Sequence, residues 1–185
     1  MKTLVRAGLS LPLLLLLACA GDKKETAQTP PVPVAGQASL ELEVKSRLAP
    51  GLEFPRLTVA DHLGNRYEIR ALLSREKNVV LLLDAACPAC AEEARKIQRF
   101  AQLRPELNVL GISKDSASAV LAFKKRHGLI FPVLLDVEQK LVPDYRRVTF
   151  PTLVLVGPDK KITKLYEGEI PPAEAGPLLR MLTGQ

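Results

Sequence analysis

The sequence predicts an α/β domain, a central mixed β-sheet flanked by helices, over residues 51–185 of a 185-residue chain. Three patterns carry that expectation. Continuous apolar runs at 78–84 and 107–113 have the character of strands buried on both faces of a parallel sheet. Segments with helical periodicity follow each run directly, and a late pair of short strands around Pro158-Asp159 forms an antiparallel hairpin. Right-handed crossovers then restrict the topology to a few arrangements.

The elements follow in order. A helix starts at Pro88 and runs to about residue 103; its apolar stripe, Cys90, Ala94, Ile97 and Ala101, faces a core. After the strand at 107–113, Asp115 or Ser116 caps a helix that ends in Lys124-Lys125-Arg126-His127-Gly128, with basic residues and Gly suited to a helix C-terminus. A strand is expected at 131–135. Asp136 and Gln139 are spaced to cap a short helix carrying Val137, Leu141 and Tyr145, which Pro143 must break or kink. The hairpin occupies 151–156 and 161–166, and a closing helix occupies 173–182.

Composition narrows the chemistry. The chain is 47% hydrophobic and 25% charged, but only 4% aromatic with no Trp, so the core rests on aliphatic side chains and no base-stacking platform exists. The formal charge is +6, and setting aside Lys2 and Arg6 leaves +4. Its basic residues are mixed with acids, which argues against a nucleic-acid partner and fits mild attraction to anionic head groups or a solvated surface.

The first 50 residues read as an address and a tether. A basic start precedes an apolar stretch at 9–18, too short to span a bilayer and suited to a signal peptide. Leu16-Leu17-Ala18-Cys19 resembles a bacterial lipobox. That resemblance implies a signal peptide at 1–18, a lipid on Cys19, and a membrane anchor facing the periplasm. Ala20 resembles the residue of the outer-membrane sorting class. Residues 19–50 are polar and then Pro-rich at Pro30-Pro31-Val32-Pro33, the composition of an extended tether. One cysteine for the lipid leaves two for a pair.

That pair is Cys87-Pro88-Ala89-Cys90, placed between a buried strand and its helix. Pro suits the first helical position, where its missing N–H costs nothing, and this makes Cys87 the helix cap. A thiolate there gains from the helix dipole, so Cys87 is the expected nucleophile, while Cys90, one turn inside, is shielded and resolves the mixed disulfide. A structural zinc site would need four N or S ligands, usually two cysteine pairs or a pair of His beside one; the chain has no second cysteine pair, and His62 and His127 lie in separate segments, so no metal is expected. A purely structural staple is a weaker reading, because so short a loop constrains little.

The strand into Cys87-Pro88-Ala89-Cys90, Glu93 three residues on, Phe150-Pro151-Thr152 opening a late strand, and the final hairpin and helix together resemble the TlpA/ResA-like, redoxin-type group of thioredoxin-fold proteins. The resemblance implies a thioredoxin-like three-layer fold and an envelope thiol–disulfide oxidoreductase. It further implies that the redox-active Cys87–Cys90 disulfide serves in place of a cofactor. It implies a cis bond before Pro151, with Phe150 and Pro151 contacting substrate. It also gives Glu93 a part in proton movement, although an acid in a first helical turn is equally explained by the dipole. Partners would be exported proteins with thiols or disulfides, apocytochrome c among them, and an upstream thiol electron donor.

The chain departs from the group's pattern at three positions: Ala86 stands where a Trp is usual, Asp84 lies near the pair, and Leu81 occupies the place of a buried Asp. A copper-handling module and a thiol peroxidase are the alternative activities. The peroxidase pattern lacks its Thr here, Asp84 standing three before Cys87.

Overall fold

The computed structural model describes residues 48–183. The expected signal peptide, Cys19 and most of the tether therefore lie outside the described residues.

Seven strands form one mixed sheet: β1 (Thr58–Ala60), β2 (Arg66–Glu68), β3 (Lys77–Leu82), β4 (Leu107–Ser113), β5 (Val133–Leu135), β6 (Thr152–Val156) and β7 (Ile162–Glu167), in the order β2-β1-β5-β4-β3-β6-β7. β3, β4 and β5 are parallel; the remaining pairings are antiparallel. The helices are α1 (Ile69–Leu72), α2 (Pro88–Gln102), α3 (Ala117–His127) and α4 (Pro172–Thr183), with a single 3-10 turn at Tyr145–Arg147.

The period of two along β3 divides the core. Val79, Leu81 and Leu83 face α2, α3 and α4, meeting Cys90, Ala94, Ile97, Val120, Phe123 and Leu178. Val80 and Leu82 face the other way, onto Phe54, Ile69, Leu73, Leu141, Val142 and Tyr145. This is the three-layer, thioredoxin-like α/β arrangement, with the longer helices gathered on one face. Side chains beside the neighbouring strands leave no room at Gly111 on β4, where a Cβ would stand 2.8 Å from Cγ2 of its cross-strand partner Val133.

Most expected elements appear within a residue or two. Ser116, not Asp115, caps α3 by accepting from Ala119 N–H, and Gly128 closes that helix with φ 64°. β5 begins at Val133, two residues later than expected. The N-terminal hairpin of β1 and β2 and the short α1, capped by Glu68, complete the sheet edge.

One local expectation is overturned. No helix follows Asp136. Its carboxylate, only 3% exposed, accepts from the N–H groups of Lys140, Leu141 and Val142 and from the Tyr145 hydroxyl, at 2.8, 3.0, 3.3 and 2.8 Å. A side chain that captures three successive amides competes with helical pairing, and Gln139 turns into left-handed geometry at φ 53°.

Candidate active site

The site forms where β3 ends and α2 begins. Cys87 caps α2 with extended backbone geometry (φ −88°, ψ 113°), Pro88 opens the helix, and Cys87 Sγ accepts from Cys90 N–H at 3.1 Å. Cys87 and Cys90 form a disulfide, their Cα atoms 5.2 Å apart. Cys90 is fully buried against the sheet while Cys87 is half-exposed. Presented and shielded sulfurs thus stand as the helix cap and the apolar stripe predict.

The loop before Cys87 is held from two sides. Ala86 N–H donates to Asp84 Oδ1 at 2.8 Å, and the Cys87 N–H to the Asp84 carbonyl at 3.1 Å. Lys114 Nζ lies 3.5 Å from Asp84 Oδ2, so the carboxylate near the pair has a cation beside it. Ala85 N–H donates to Asp115 Oδ2 at 2.8 Å, and the Ser113 hydroxyl donates to the same oxygen at 2.7 Å. The end of β4 is therefore tied to the cysteine loop.

Pro151 enters beside this loop. β6 lies next to β3 with Thr152 opposite Leu82, one residue before β3 runs into the Leu83-Asp84 turn. The Phe150–Pro151 bond is cis, and the Pro151 carbonyl accepts from Gly168 N–H at 2.7 Å. Phe150 packs on the same core cluster as Cys87 and Ala85, and its ring stacks on Tyr145 at 6.1 Å with planes 6° apart. Tyr145 in turn donates to Asp136, whose N–H donates to the Ser113 carbonyl at 2.8 Å. Hydrogen bonds and one ring stack thus run from Ala85 through Asp115, Ser113, Asp136 and Tyr145 to Phe150. Sequence reasoning gave Asp136 and Tyr145 to a helix and missed this link. The one available signal was a carboxylate standing directly after the apolar run at 129–135.

Glu93 is 3% exposed, whereas Glu92 beside it is solvated and pairs with Lys96 at 3.1 Å. The dipole explanation of a first-turn acid suits Glu92; it does not explain why Glu93 is buried. Glu93 Oε2 has no hydrogen-bond partner, and Lys96 Nζ is 3.6 Å away. Burial pushes the Glu93 carboxyl up from the usual range, Lys96 opposes the shift, and Glu169 and Glu92 add to it. With Val79, Phe100, Leu153 and Leu178, Glu93 lines a cavity of about 260 Å³ between α2 and α4. Three residues along the helix from Cys90, it is on the sulfur's side of α2. Among the described residues, no group of three or more His, Cys, Asp or Glu side chains could hold a metal ion.

With this geometry, likeness to known proteins can be weighed. The thiol-disulfide oxidoreductase ResA of Bacillus anthracis is 30% identical over 129 residues, covering 68% of this chain and 73% of the relative. Among solved structures, peroxidoxin BcpB from Mycobacterium tuberculosis superposes with a TM-score of 0.63 at 20% identity, covering 74% of this chain and 97% of that one. A secreted Mycobacterium tuberculosis disulfide oxidoreductase homologous to E. coli DsbE superposes at 0.58 with 19% identity, covering 70% and 96%. These two structures agree on the fold alone. The AhpC/TSA family profile matches residues 50–165, from β1 into β7 and across the cysteine pair, and the chain belongs to the AhpC/TSA family.

Proposed function

We propose that this chain is a thiol–disulfide oxidoreductase of the bacterial envelope, working as a reductant of disulfides in exported proteins. The observation that carries the reading is the Cys87–Cys90 disulfide, with its outer sulfur capping α2 beside a cis-proline loop. The oxidoreductase ResA, alike over two thirds of the chain, supports it.

In the dithiol form, Cys87 at the helix N-terminus is favoured as thiolate. It attacks one sulfur of a substrate disulfide, forming a Cys87–substrate bond as the substrate S–S bond breaks and one thiolate leaves. Cys90 then loses its proton and attacks Cys87 Sγ. That step forms the Cys87–Cys90 bond, expels the second substrate thiolate and completes a two-electron transfer. An upstream dithiol restores the pair. Glu93, a carboxyl held above its ordinary range near Cys90, is suited to accept the Cys90 proton. The backbone at Phe150, beside Pro151, offers strand-like pairing to a substrate segment. A lipid on Cys19 would tether the domain to the membrane, facing the periplasm, with Ala20 favouring the outer membrane. Apocytochrome c thiols are one substrate class consistent with this reading.

The experiment is trapping. In a Cys90→Ala variant, Cys87 should accumulate as mixed disulfides with envelope proteins, released by dithiothreitol. Trapping by Cys87→Ala alone would overturn the assignment of the attacking sulfur. The family gives a thiol peroxidase as the second reading. Against it, the residue three before Cys87 is Asp84, whose carboxylate is held by Ala86 N–H and Lys114. Thiol-dependent peroxide consumption matching disulfide reduction in rate would favour the peroxidase.

A further inference from the structure

The surface where α2 and α3 end has a character that disulfide chemistry does not use. Residues 95–131 contain eight Lys and Arg against Glu106 and Asp115, a local excess of +6, as large as the formal charge of the whole chain. Much of this charge collects where α2 and α3 end side by side. Gln98 joins the two ends, its side chain donating to the Gly128 carbonyl at 2.8 Å and accepting from Ile130 N–H at 2.6 Å. Arg95 reaches His127 Nδ1 at 3.1 Å.

Of the cations in that excess, Lys96 pairs with Glu92 and Lys114 with Asp84; outside it, Arg70 pairs with Glu53, Arg146 with Asp144 and Lys164 with Glu174. Among the described residues, Arg95, Arg99, Lys125 and Arg126 form no salt bridge, and all four are exposed. Asp115 is at the other end of α3, occupied by Ala85 and Ser113, which leaves Glu106 as the patch's one acid.

Aliphatic side chains project among these cations. Arg95, Arg99 and Leu103 follow one another at intervals of four along α2, a single stripe. Leu103 is 78% exposed, Ile130 72% and Leu121 50%. Ile130 borders a shallow depression with Gln98 and Gln102.

We infer that the joined C-terminal ends of α2 and α3 form a docking face for an anionic lipid bilayer, with Arg95, Arg99, Lys125 and Arg126 on the head groups and Leu103 and Ile130 entering the acyl boundary. Unpaired cations around separate aliphatic tips are the chemistry of an interfacial contact. Nucleic acid would call for exposed aromatics, and Phe100, Phe123 and Phe131 are turned into the core or half-buried. A protein partner of the redox reaction must reach Cys87, which the length of α2 sets about 22 Å away at ~1.5 Å per residue. Docked this way, the domain holds its cysteines out from the bilayer toward soluble partners. The inference does not depend on the proposed redox activity.

Because the chain has no Trp, Leu103→Trp supplies a sole reporter in the full-length protein. Val137→Trp, 59% exposed beyond the opposite end of β5, is its control. With vesicles of phosphatidylglycerol and phosphatidylcholine, the Leu103→Trp emission should shift blue and be quenched by brominated lipid. With phosphatidylcholine alone it should not change, and Val137→Trp should respond to neither. Each cation near the surface contributes roughly fivefold in affinity, so adding Arg99→Glu and Arg126→Glu should weaken the response at least ~tenfold. The charge-matched pair Arg56→Glu and Arg66→Glu should leave it in place. No blue shift on anionic vesicles, equal responses from the two Trp positions, or equal losses from the two charge pairs would each overturn the proposal. Displacement by soluble polyglutamate at constant ionic strength would assign the patch to an acidic protein instead.

Discussion

Removing the Asp136 carboxylate tests whether the link between the two active-site loops is structural in the way its geometry implies. Asp136→Ala leaves four donors without their acceptor: the amides of Lys140, Leu141 and Val142 and the Tyr145 hydroxyl. Lys140 is exposed, so water can reach its amide, but Leu141, Val142 and Tyr145 are no more than 2% exposed. A buried donor left unpaired costs about 1–3 kcal/mol, so three of them total about 3–9 kcal/mol before any relaxation. Relief from burying a carboxylate offsets part, and a net loss of about 3 kcal/mol is expected. With a urea dependence of about 2 kcal/mol per molar, the unfolding midpoint should fall by about 1.5 M at unchanged slope. Tyr145→Phe removes a single bond while keeping the ring on Phe150, and should cost about 1 kcal/mol. Because Tyr145 supports Phe150, Asp136→Ala should also slow reduction of a disulfide-containing peptide more than reduction by a small dithiol. A loss below 1 kcal/mol for Asp136→Ala, or equal losses for the two variants, would refute this account of the loop.

Glu93→Gln should change stability with pH in a defined sense. The folded-state carboxyl is raised by burial, so its contribution is fully present below the ordinary Glu range and is lost as pH rises through the folded value. Glu93→Gln should therefore match the parent in urea near pH 4 and exceed it near pH 8; the reverse order would show that Lys96 outweighs burial. The same variant should slow the resolving step without altering formation of the Cys87 mixed disulfide, as followed by stopped-flow with a peptide disulfide. Gly111→Ala drives a Cβ to 2.8 Å from Val133 Cγ2 and 3.3 Å from Leu83 Cδ2, and should destabilise by about 1–3 kcal/mol. Val133→Ala placed in the same chain should recover part of that loss; strict additivity of the two in urea titrations would contradict the clash.

Sequence and structure part company where side chains rather than periodicity decide. The runs at 78–84 and 107–113 are long, apolar and flanked by polar residues, and they become the sheet centre, where the outcome is dictated by burial on both faces. Pro88 after Cys87 fixed the helix start because the ring removes a donor that would have had no partner. β1, β2 and α1 are three or four residues each, too short for a period to register, and they exist through pairing with the sheet edge. The stretch after Asp136 carries helical spacing, yet one carboxylate captures the amides a helix would need, a choice made by the buried Tyr145 and the Ser113 carbonyl rather than by local propensity. The cysteine pair was legible because it depends on residue type at a fixed place, and the cis proline was legible only through the family resemblance. Burial of Glu93 beside a solvated Glu92 was not, since adjacent acids on one helix turn differ only in which way the tertiary fold lies.

The position of the buried acid has a consequence for the chemistry. Leu81 stands on β3, fully buried, on the face that meets Cys90. In place of a buried carboxylate on the strand, the domain carries one on the helix, at Glu93, in a cavity lined by Val79 and Leu153 from the two central strands. A carboxyl there is reached from the side of α4 through a pocket that is otherwise almost wholly apolar, with Lys96 at its rim. Burial raises its proton affinity, and Lys96 restrains the rise. On the proposed reading, an acid in such balance takes a proton from Cys90 as the resolving thiolate forms and releases it to solvent at the rim beside Lys96. Lys96→Met should then raise the Glu93 carboxyl further and move the pH dependence of the resolving step upward, with mixed-disulfide formation at Cys87 unaffected. A resolving step whose pH profile does not move in Lys96→Met would remove Glu93 from the proton path and leave it a buried acid of the helix alone.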